Sequence, residues 1–104
     1  VFENNPSLRG SQPFTVYAIC AREPAAYSVD FTGPVSDPAG ALATALLSCP
    51  AGSVPLSGGG ASDTSSVDVF LNETEPDGGN WISDQNNDSG TAANLYGWVV
   101  CAGG

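Results

Sequence analysis

Side chains able to do chemistry are few in this sequence: 3 cysteines, 11 acids, and neither histidine nor lysine. Without His or Lys, no Ser-His-Asp, Cys-His or lysine-based nucleophile arrangement can be built, so catalysis is not expected. Glu73, Glu75 and Asp77 lie close together in the manner of a paired-acid site. In a polar turn, however, neighbouring carboxylates are solvated, and nothing here marks a pocket between them. The richest stretch is Asp84-Gln85-Asn86-Asn87-Asp88-Ser89-Gly90, with side-chain oxygens at alternate positions as at the start of a calcium loop. Asp84, Asn86 and Asp88 are therefore candidate ligands for weakly held calcium, the only cofactor the sequence suggests. Ser89 stands where such a loop requires glycine and Leu95 where it requires a bidentate glutamate, so a hairpin turn is the plainer reading. Gly58-Gly59-Gly60-Ala61 is not a phosphate cradle, because no lysine and no clear helix follow it; close packing of backbone against a strand explains it better.

Cys20, Cys49 and Cys101 show no Cys-x-x-Cys spacing, and without histidine the mixed zinc sites are unavailable. One disulfide and one remaining thiol is the natural count in an oxidising compartment. The odd thiol is then either buried or directed at another molecule. Among the aromatics, Trp81, Trp98 and Tyr96 are candidates for stacking on a sugar ring, although a small β domain also needs such side chains for packing. Asn72-Glu73-Thr74 and Asn87-Asp88-Ser89 match the glycosylation acceptor pattern.

The elements that position these residues are strands. Phe14-Thr15-Val16-Tyr17-Ala18-Ile19-Cys20-Ala21 aligns without a gap on Leu95-Tyr96-Gly97-Trp98-Val99-Val100-Cys101-Ala102. Alternation places Leu95, Gly97, Val99 and Cys101 on one face of the second copy, and Phe14, Val16, Ala18 and Cys20 on the same face of the first. Residues 1–21 thus read as an arm plus a strand duplicating the closing stretch 86–102. Tyr27 to Thr32 alternates as a half-buried strand, and Gly33-Pro34 and Ser36 to Gly40 are turn clusters. Ala41 to Cys49 carries strong helix formers, yet its shortness and its close on Cys49-Pro50 favour a strand with Leu42, Thr44, Leu46 and Ser48 on one side. Val54 to Ser57 is extended, with Pro55 marking an edge or bulge. Ala61 to Ser66 is expected to be a loop, Val67 to Asn72 a strand, Glu73 to Asn80 a turn, and Trp81 to Gln85 a short strand.

A chain of 104 residues with a formal charge of -9 bounds the rest. It is expected to form one β domain over residues 1–104, with a modest core for which a cross-link matters. Nucleic acid and anionic membranes need clustered positive charge and are not expected partners; no run approaches the roughly 20 apolar residues of a spanning helix. No stretch reads as a secretory leader, and a first residue of Val rather than Met suits a trimmed secreted chain as well as an arbitrary boundary.

Cys49-Pro50-Ala51-Gly52, then Leu56 to Ala61 with its three glycines, Asn80-Trp81, Asn86-Asn87 and the closing Tyr96-Gly97-Trp98-Val99-Val100-Cys101-Ala102 resemble a repeated module of secreted, mainly actinobacterial, proteins. That module has a Cys-Pro-Ala-Gly opening, a Gly-Gly-Gly segment and a Tyr-Ala-Val-Cys-Ala close, from which this chain departs at Gly97-Trp98. The resemblance covers about Thr44 to Ala102, and Phe14 to Ala21 is similar to the close of a preceding copy. It implies an extracellular, often tandem setting without established chemistry. It also implies that Cys49 pairs with Cys101 while Cys20 belongs to a neighbouring pairing; Cys49 with Cys20 is the competing pairing. The expected fold is a small antiparallel β-sandwich or prism-like arrangement of about seven strands with one disulfide. The expected function is a secreted or cell-surface structural module that assembles with copies of itself into a head-to-tail array or filament. The alternative is a monomeric secreted domain that binds carbohydrate or calcium. A small inhibitor or toxin would show no pattern of its own, since such activities reside in loops.

Overall fold

Alternation of residues along each strand builds two facing sheets. The computed structural model describes residues 13, 15–18, 20, 22–24 and 26–103. Among them seven strands form: β1 (Ala26–Phe31), β2 (Val35–Asp37), β3 (Leu42–Ser48), β4 (Ser53–Ser62), β5 (Val69–Asp77), β6 (Asn80–Asn87) and β7 (Ala93–Gly103). Every pairing is antiparallel. β7 is the centre of the first sheet, with β4 along one side and β1 and β2 end to end along the other. β6 is the centre of the second, between β3 and β5. The sheets stack as a sandwich, and the Cys49–Cys101 disulfide, with Cα atoms 5.7 Å apart, ties the end of β3 to β7. The pairing implied by the resemblance is the one found.

Small inward residues let the sheets approach closely. Leu95, Gly97, Val99 and Cys101 all face inward on β7, as alternation requires, and meet Ala43, Ala45 and Leu47 of β3. A Cβ on Gly97 would lie 2.9 Å from both Ala45 Cβ and Leu47 Cδ1. On β4, a Cβ on Gly58 would lie 2.5 Å from the Trp81 ring, and one on Gly60 would lie 3.0 Å from Leu71 and Ser83. Gly58 and Gly60 thus pack closely against side chains of the opposite sheet, while Gly59 between them lies under the Trp98 ring of the neighbouring strand. Trp81 is fixed there by donating from Nε1 to Thr74 Oγ1 at 2.8 Å.

Several expectations are corrected by the pairing. Residues 73–77 are not a turn but the second half of β5, and the reversal shrinks to Gly78-Gly79, where Gly78 takes a φ of 59° that an L side chain resists. β5 is an edge strand with a bulge between Leu71 and Glu73, so it tolerates Pro76 and a row of exposed acids. β2 arises inside what reads as a turn cluster, because Val35 and Asp37 extend the ladder of β1 along β7. β3 is a strand as expected, but its Leu42 and Leu46 face solvent, while Ala43, Ala45 and Leu47 enter the thin core. Ala61 and Ser62 still belong to β4, so the loop begins at Asp63. The last turn is not a hairpin, since β6 and β7 lie in different sheets and residues 88–92 arch between them. Of the expected first strand, Thr15 to Ala18 and Cys20 are exposed and belong to no strand; Phe14, Ile19, Ala21 and residues 1–12 lie outside the described residues.

Candidate functional site

The calcium candidates divide between a sheet face and a turn. Asp84 and Asn86 share the outward face of β6, and the Oδ1 atom of each is shielded from solvent without a hydrogen-bond partner. Asp88 lies past the strand end, exposed, with its backbone N–H donating to Asp68 O at 2.8 Å. Glu73 stands opposite Asp84 in the ladder and Phe70 opposite Asn86. Among the described residues no three Cys, Asp or Glu side chains gather into a metal-holding group. Of the two glycosylation patterns, Asn72 is exposed. Asn87 is wholly buried, its Nδ2 donating to Asp37 O and Thr91 O at 2.9 Å each, which leaves that amide inaccessible in the folded chain.

The aromatic candidates separate as well. Trp81 faces inward, whereas Tyr96 and Trp98 face outward on β7. Cross-strand partners share a face, so the register sets Tyr27, Val29 and Phe31 of β1 beside Ala102, Val100 and Trp98, and Val54 and Ala61 of β4 beside Ala102 and Tyr96. The Trp98 ring lies over Gly59, where any Cβ would overlap it. This face of the first sheet therefore carries only apolar and small residues between β1 and β4, and Phe31 is 71% exposed. The sequence reading missed Tyr27, Val29 and Phe31 as partners of Trp98 because only the β1–β7 register joins them.

The acids sit elsewhere. Glu73, Glu75 and Asp77 share the outward face of the second sheet with Asp84, by their pairing to Asp84, Ile82 and Asn80. Asp63 closes the far end of β4, where its carboxylate accepts from Asn94 N at 2.9 Å and Asn94 Nδ2 at 2.7 Å. These bonds, the backbone N–H of Asn94 first and its side-chain amide second, hold the Asp63 carboxyl below its ordinary value of 3.8.

Protein-family models, curated proteins and solved structures contain no match to this chain.

Two further features remain. Cys20 is a free, exposed thiol, and its neighbours Val16 and Tyr17 are also exposed, Tyr17 at 87%. An open groove of about 410 Å³ lies beside the disulfide, between Tyr27 and Ser28 on one side and Pro50 to Ser53 on the other. It contains no charged side chain, and its polar side-chain groups are the hydroxyls of Tyr27, Ser28 and Ser53.

Proposed function

We propose that the chain is an extracellular structural module that assembles head to tail with copies of itself and performs no catalysis. The observation that carries the reading is a pair of exposed apolar surfaces on different parts of one molecule. One is the outward face of the first sheet, around Phe31, Trp98 and Tyr96; the other is formed by Thr15 to Ala18 and Cys20. Two different surfaces that fit each other make a heterologous contact, which propagates instead of closing into a dimer. Around Phe31 and Trp98 the first surface bears no acid, and at its Tyr96 end the acid is Asp63, already bonded to Asn94; Thr15 to Ala18 and Cys20 bear none, so the centre of the contact can be covered without burying charge.

The stretch 14–21 is a near copy of β7, yet it is not an exchange donor for the β7 slot. Val16 would replace Gly97, whose Cβ position is already filled to within 2.9 Å by Ala45 and Leu47. Contact at a sheet edge or across the outer face avoids that clash and brings Cys20 to the boundary between subunits. The Cys49–Cys101 bridge and the resemblance to secreted modules both support an oxidising, extracellular setting.

Light scattering at several protein and salt concentrations tests the proposal. The mass should rise with protein concentration and rise further as salt screens the charge of -9. Phe31→Glu and Tyr17→Glu should each lower it. A mass that stays at one chain under all conditions overturns the reading. Phe31, Trp98 and Tyr96 on one flat face favour a second reading, glycan binding by a monomer. It would show as retention on insoluble polysaccharide that Trp98→Ala abolishes.

A further inference from the structure

The inward face of β6 departs from the pattern of a two-sheet core. Ser83, Gln85 and Asn87 occupy three successive positions that a sandwich fills with apolar side chains, and all three are 0% exposed. Two of them are satisfied by their neighbours. The Ser83 hydroxyl donates to Thr74 Oγ1 at 3.0 Å, and Asn87 bridges Asp37 O and Thr91 O while its Oδ1 accepts from Ser89 N at 3.0 Å. Gln85 differs. Its Nε2 donates to Asp37 Oδ2 at 2.8 Å, but Gln85 Oε1 and Asp37 Oδ1 are both sealed from solvent without a hydrogen-bond partner.

Asp37 is itself 0% exposed, at the end of β2. Arg22, the one basic side chain among the described residues, is exposed, and no ion pair among them involves Asp37. A buried carboxyl group with a single neutral donor, next to a buried amide oxygen with none, leaves two adjacent oxygen acceptors that no protein group satisfies. We propose that Asp37 Oδ1 and Gln85 Oε1 are ligands of a bound hard cation, with calcium the leading species. The chemistry fits: one carboxylate and one amide carbonyl are oxygen ligands of the kind calcium takes, and a chain with few cations of its own must draw counter-charge from solution. Water or backbone carbonyls of the adjacent 38–41 and 88–92 turns would complete the sphere. The two turns are already tied together, since Gly40 N donates to Asn87 O at 2.7 Å and Asn87 Nδ2 to Thr91 O. This site is not the Asp84–Asn86 pair, because residue 85 points to the opposite face of the sheet.

Thermal melts of the full chain test the site, in metal-stripped buffer with calcium chloride added and with choline chloride at equal ionic strength as control. Calcium should raise Tm in a saturable way and choline should not. Asp37→Asn should abolish the calcium-dependent shift, whereas the double variant Glu73→Gln and Glu75→Gln, on the outer face, should keep it. Should Asp37→Asn not fold, Gln85→Glu decides: it should melt below the parent in stripped buffer and gain a larger shift from calcium, because a second carboxylate needs the cation more. Stabilisation by magnesium or sodium in place of calcium, lost in the same variants, also supports the site. A parent Tm that no metal changes, a calcium shift that survives in Asp37→Asn, or a Gln85→Glu defect that calcium does not relieve overturns the proposal.

Discussion

Gly97 is the residue on which the thin core depends, because only a hydrogen fits between β7 and the side chains of Ala45 and Leu47. Gly97→Val should cost about 1–3 kcal/mol or more by overpacking, as read from urea unfolding. Gly79→Ala, at a turn position with nothing within 4 Å of its Cβ, serves as the control and should change little. Asp63 is a residue-scale feature of another kind. Its carboxyl is held below 3.8 by bonds from Asn94, so the folded state binds its proton less readily than the unfolded chain does. The stabilisation is whole above that ordinary value and is lost as pH falls through the lower, folded-state value. Asp63→Asn should therefore lower Tm in the neutral region, where that stabilisation is whole, and converge on the parent in acid, so that the acid limb of a Tm-against-pH curve is flatter than the parent's. Equal acid limbs in the two proteins would show that these bonds contribute nothing to folding.

At the scale of elements, β7 was the most legible, since Leu95, Gly97, Val99 and Cys101 alternate cleanly and all face the core. β3 was legible as a strand, but the side its leucines take was not, because the thin core beside Gly97 admits Ala43 and Ala45 where larger side chains would not fit. β2 left no signal: three residues between Pro34 and Pro38 become a strand only because β7 is long enough to pair with them after β1 ends. The acids of β5 looked like a turn because an edge strand with one wet face tolerates the composition that turns favour. The count of seven matched while its membership did not, as β2 replaces the expected strand at 14–21. Of the calcium residues, Asp84 and Asn86 stand at even positions of β6, on its outward face, whereas Gln85, at an odd one, is wholly buried between the sheets. Period-two alternation turns a one-residue choice into a change of face, and only the pairing fixes which face is inside.

For the whole molecule, the disulfide joins the two sheets across 52 residues of sequence. On the chain-entropy account that closure stabilises the fold by about 4 kcal/mol, a large share of a small domain's net stability. Cys101→Ser should lower the urea midpoint accordingly, and Cys20→Ser should leave it unchanged, since Cys20 is exposed and makes no bridge. An equal loss in both would contradict the observed pairing. The molecule is also two-faced, with acids on the outside of the second sheet and none at the outward strand positions of the first. The shared position of β7 governs the order of folding. β1, β2 and β4 make no ladder with one another and all pair with β7, which follows them in the sequence by 30 residues or more. During synthesis the β5–β6 hairpin can close around Gly78-Gly79 as soon as it emerges, but the first sheet has no central strand until β7 arrives. Until then three strands have open edges, so the nascent chain goes through a period in which a chaperone or a like neighbour competes with its own last strand.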